Sequence, residues 1–228
     1  NGIVNATALP IRNAEIKIYN ASGTIIQCTY TDSNGAFNLL LPESSSQHKI
    51  RISSIIYNSI TKAFVYNNPS QNTAHYIESS FTPDSTKSVG TLRASATGDI
   101  KGGAFNILDK IHSANEYLYT ETTNCSATFS PCTPFTGAPA VKIYWDKGVN
   151  PGSYFNAGPV SFYIPGDREL YILGGEDGAT DSTDCDHFDN SVILHEYGHF
   201  IEDVFSETDS PGGSHSGDSI IDARLAWG

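Results

Sequence analysis

Apolar residues recur in two different rhythms along the 228-residue chain. Up to residue 83 they come in short alternating runs: EIKIYN (15–20), TIIQCTY (24–30), AFNLLLP (36–42), HKIRISSIIY (48–57) and KAFVYN (62–67). Runs of this kind, each bounded by turn residues, predict a small antiparallel β-sandwich over residues 1–83. Between the second and third, Asp32, Ser33, Asn34 and Gly35 form a tight turn, because asparagine and glycine tolerate positive φ, so those two runs are expected to pair. Residues 84–100 are rich in Ser, Thr, Asp and Gly without apolar periodicity and predict a linker.

From residue 101 the rhythm changes. Phe105, Leu108, Ile111 and Leu118, with Ala104 and Ala114 nearby, mark an amphipathic helix of about four turns. VKIYW (141–145) reads as a strand, and SFYIP (161–165) and ELYIL (169–173), separated by GDR, as a hairpin or two adjacent strands. Further on, Ile193, Tyr197, Phe200, Ile201 and Val204 fall at i, i+4, i+7, i+8 and i+11, the stripe of a second buried helix. Asp189 or Asn190 can cap it, and SETDSPGG (206–213) should end it near Ser206. The fold class expected is α+β, with residues 101–228 forming a mixed sheet, a backing helix and this second helix.

The second helix carries His195, Glu196, Tyr197, Gly198 and His199, which read HEYGH, an HExxH pattern. Residues i and i+4 share a helix face, so both imidazoles can reach one zinc ion. Glu196 sits on the flank of that face, placed to take a proton from a zinc-activated water. The competing reading is two ordinary core or surface histidines. Gly198, inside the motif, costs roughly 1 kcal/mol relative to alanine; close approach of a neighbouring segment would account for it.

The charge of −12 and an isoelectric point near 4.8 argue against nucleic acid as a partner, since a phosphate backbone needs a basic surface. No apolar run approaches the ~18 residues of a membrane span. Half of the cysteines, Cys125 and Cys132, bracket a polar loop without zinc-finger spacing, so a local disulfide and an oxidising compartment are expected: secreted, periplasmic or cell-surface. Cys28 and Cys185 receive no role. The absence of methionine suggests an interior piece of a longer protein. Between the last strand and the motif helix lie Glu176, Asp177, Asp181, Asp184, Asp186 and Asp189. A solvated acidic loop is the preferred reading, with calcium (Ca2+) as the cofactor alternative; His187, without ligand spacing, is read as a bystander.

Residues 1–83 resemble the carboxypeptidase regulatory-like, transthyretin-like module through Gly2, Val4, PIRNAEIKIYN and TDSNGAF. The stretch HEYGHFIEDVFSETDSPGGSHSGDSIIDARLAWG resembles the gluzincin branch of the zincin metallopeptidases, in an exported bacterial group where a Gly-rich loop and a helix reading roughly LAWxEGxA follow the motif. That resemblance implies the upper subdomain of a zincin in residues 101–228. It makes His195 and His199 ligands of Zn2+ and Glu196 the general base of peptide-bond hydrolysis, and it implies that SFYIP or ELYIL pairs with an extended protein or peptide substrate. The third ligand is expected to be a glutamate just beyond Gly228, on the face of Ile221, Leu225 and Gly228, with Asp218, Asp222 and His215 ranked behind it. An inactive zincin-like binding or adhesion protein, or a zinc hydrolase of non-peptide substrates, are the alternatives.

Overall fold

In the computed structural model, residues 8–84, 86, 88–123 and 133–206 are described. Their alternating runs join one eight-stranded mixed sheet. The strands are β1 (Ala14–Tyr19), β2 (Ile25–Tyr30), β3 (His48–Tyr57), β4 (Lys62–Tyr66), β5 (Tyr76–Phe81), β6 (Val141–Tyr144), β7 (Phe162–Ile164) and β8 (Glu169–Tyr171). They are ordered β2-β1-β3-β4-β6-β8-β7, with β5 also pairing β3. Pairing among β1 to β5 is antiparallel, β4–β6 and β6–β8 are parallel, and β7–β8 is the expected antiparallel hairpin.

The sandwich expected over residues 1–83 is replaced by a single layer. Two sheets would have to face each other to bury Ile16, Ile18, Ile50, Ile52 and Val65; here helix α1 (Gly102–Thr123) supplies the opposing surface through Ala104, Phe105, Ile107, Leu108 and Ile111. The stretch at 84–100 does not interrupt the sheet. Parallel neighbours need a long crossover, and the chain from β4 to β6 contains α1.

The segment at 36–42 departs from its expected strand. Asp32 does turn the chain, accepting from the Asn34 and Ala36 N–H groups, with Gly35 at φ 74°. Phe37, Leu39 and Leu41 then pack on the core and Leu40 points outward, but no ladder forms. β2 ends the sheet path, but these residues lay their apolar side chains on the core instead of running along its edge. The pairing expected between residues 24–30 and 36–42 therefore does not occur.

Helix α2 (Asn190–Phe205) follows its stripe, burying Ile193, Tyr197 and Phe200. Asp189 caps it by accepting from the Ser191 and Val192 N–H groups, and Ser206 closes it. α2 packs against α1 and β7. Among the described residues no helix is long and apolar enough to cross a membrane.

Candidate active site

Placing HEYGH on a 3.6-residue period divides the motif between two sides of α2. Tyr197 turns inward, where its hydroxyl donates to Asn115 Oδ1 at 2.7 Å, and Asn115 Nδ2 donates to Thr61 Oγ1 at 3.1 Å. This buried network anchors α2 to α1 and to the turn before β4. It leaves His195 and His199 half-buried on the other side, with their Nε2 atoms 3.1 Å apart.

That separation permits two readings. One imidazole N–H can donate to the other ring, or both nitrogens can face a common cation. Two nitrogens each ~2.0–2.1 Å from one tetrahedral ion lie about 3.4 Å apart, so the observed convergence needs only a few tenths of an ångström of adjustment. The donor chemistry fits zinc. Among the described residues no group of three or more His, Cys, Asp or Glu side chains is placed to hold a metal. His215, Asp218 and Asp222 lie outside the described residues, as do Cys125 and Cys132.

Glu196 is 8% exposed, and burial, joined by the negative charge of Asp186, pushes its carboxyl up to about 7; the Tyr163 backbone N–H, donating to it, opposes the shift. A carboxylate with that basicity exchanges protons near neutral pH. Tyr163 also binds β7 to α2 through its side chain: the hydroxyl donates to Asp203 Oδ2 at 2.7 Å and the ring meets Phe200 edge-on at 6.0 Å. β7 is the end of the sheet path and packs against α2.

The loop expected to be solvated or to hold calcium instead buries Asp186 beside Glu196. Ser161 Oγ donates to Asp186 Oδ2 at 2.5 Å and accepts from the Leu173 N–H at 2.9 Å, locking the loop to the strand ends. The loop's other carboxylates disperse, Asp189 to the helix cap and Asp184 to the exposed surface. The one available signal was its position ten residues before Glu196, too weak to place it. His187 is 2% exposed against Trp145 and Phe188, a core position. Gly198 does not have the close neighbour expected of it: among the described residues nothing lies within 4 Å of where a Cβ would sit. Cys28 and Cys185 are free thiols.

No protein-family model, curated protein or solved structure matches the chain.

Proposed function

We propose that this chain belongs to a secreted zinc-dependent endopeptidase of zincin type, in which His195 and His199 hold the metal and Glu196 is the general base. The observation that carries this reading is the convergence of the two Nε2 atoms at 3.1 Å beside a buried carboxyl whose proton affinity lies near 7. An ion held there supplies a Lewis acid that polarises the scissile carbonyl and makes water more acidic.

The chain's own groups do the rest. Glu196 takes the proton of the attacking water on a carboxylate oxygen and passes it to the leaving amine nitrogen, so no acyl-enzyme is required. Asn115, through the Tyr197 hydroxyl, holds the helix that presents the three side chains. An extended peptide laid along the outer edge of β7 would pass the place where the Tyr163 N–H meets Glu196, which brings a peptide bond to the base.

Hydrolysis of quenched fluorescent peptides by the full-length protein tests the proposal. Turnover that chelation stops and zinc restores is expected, with Glu196→Gln retaining metal and losing activity. Undiminished turnover in Glu196→Gln would refute the general-base role.

A further inference from the structure

The residues around Glu196 also form a cleft with a composition of its own. A cavity of about 730 Å3 opens beside Glu196 and His195. Its sides are aliphatic: Val160, Leu173, Val192 and Leu194, with Val160 49% and Leu194 41% exposed at the mouth. Asp186 lies within it, only 7% exposed, and Asp184 is at the exposed rim.

Asp186 is an unusual group to find there. Its Oδ2 accepts from Ser161, its Oδ1 makes no hydrogen bond within the described residues, and no lysine or arginine pairs with it. Burial, together with the charges of Asp184 and Asp189, holds its carboxyl above the usual carboxylate range. Burial makes the charged carboxylate costly, and a cationic guest offering hydrogen-bond donors relieves that cost. Aliphatic walls leading to a carboxylate match a side chain with a methylene stem and a cationic head.

We propose that this cleft is a specificity pocket for a lysine or arginine side chain of the substrate, with Asp186 as its deep charge partner and Asp184 as its rim partner. The role assigned to the guest rests on the peptidase reading, while the pocket itself is tested by binding alone.

The experiment uses two acetylated hexapeptide amides identical except for one arginine or norleucine, titrated calorimetrically into full-length Glu196→Gln protein so that neither is consumed. The arginine peptide should bind roughly 10- to 100-fold more tightly, the worth of a charge-assisted hydrogen bond. Adding Asp186→Asn should bring the two affinities within about 2-fold of each other. Asp184→Lys, a surface change that leaves the buried Ser161 to Asp186 bond in place, should weaken the arginine peptide by about 10-fold. Equal affinity for the two peptides overturns the proposal, as does an arginine preference that survives both substitutions in variants with unchanged circular dichroism. The parent protein separates the two ideas. Hydrolysis of both peptides at equal kcat/KM removes the pocket and keeps the peptidase, whereas an Asp186-dependent arginine preference in binding, with neither peptide cleaved, keeps the pocket and removes the peptidase.

Discussion

His112 on α1 and the pair His195 and His199 on α2 show how differently the same side chain can be used on two packed helices. His112 is 1% exposed and satisfied at both nitrogens: Asn13 Nδ2 donates to Nε2 at 2.8 Å, and Nδ1 donates to Thr61 Oγ1 at 3.0 Å. Burial lowers its pKa, in keeping with that neutral tautomer. His195 and His199 are instead half-buried and turn their Nε2 atoms toward each other. The first arrangement binds elements together, and the second is the pair proposed to hold the metal. Both meet at Thr61 and Asn115, where the His112 network accepts the Tyr197 hydroxyl from within HEYGH.

The largest effect expected from breaking this division is on the α2 side. Glu196→Gln should lower kcat about 10²- to 10⁴-fold, the usual worth of a general base, with KM little changed in steady-state peptide assays. A loss under 3-fold would place the base elsewhere.

Acid should act on the structural histidines. Burial pushes His187 down to about 4 from its ordinary 6.5. Between those values the unfolded chain binds a proton that the native ring refuses, so stability is complete above about pH 6.5 and falls as pH drops toward 4, by on the order of 3 kcal/mol. Urea unfolding at several pH values measures the slope, and His187→Phe should flatten it. An unchanged slope in that variant would show that other groups carry the acid sensitivity.

Smaller effects sharpen the junction. Asn115→Ala strands the Tyr197 hydroxyl and should cost about 1–3 kcal/mol in urea unfolding. Tyr197→Phe removes only the donor and should cost about 1 kcal/mol. If both variants unfold like the parent, the anchoring of α2 through this network is wrong.

How far the sequence revealed this arrangement depended on how local each signal was. α2 was legible end to end, since its stripe, its Asp189 cap and the turn residues after Phe205 lie within one stretch. The β7–β8 hairpin was legible for the same reason. β5 escaped because YIESSF buries only Ile77, so no apolar alternation announces it. Residues 36–42 show the reverse: Phe37, Leu39 and Leu41 alternate correctly, yet the segment covers the core instead of pairing along β2, a choice no local pattern encodes. The parallel pairing of β4 with β6 joins Ala63 to Val141, and such a register is invisible to any window of sequence. At the site, HEYGH exposed the pair and the adjacent glutamate, but Asp186 entered only through the hydrogen bond from Ser161, 25 residues before it.

The central claim is that His195 and His199 are a metal pair while His112 is structural. Elemental analysis of the dialysed full-length protein tests it most directly, with His195→Ala, His199→Ala and His112→Gln compared side by side. Zinc is expected in the parent and in His112→Gln, with most of it lost from the two α2 variants. Zinc retained at the parent's stoichiometry by both His195→Ala and His199→Ala would contradict it.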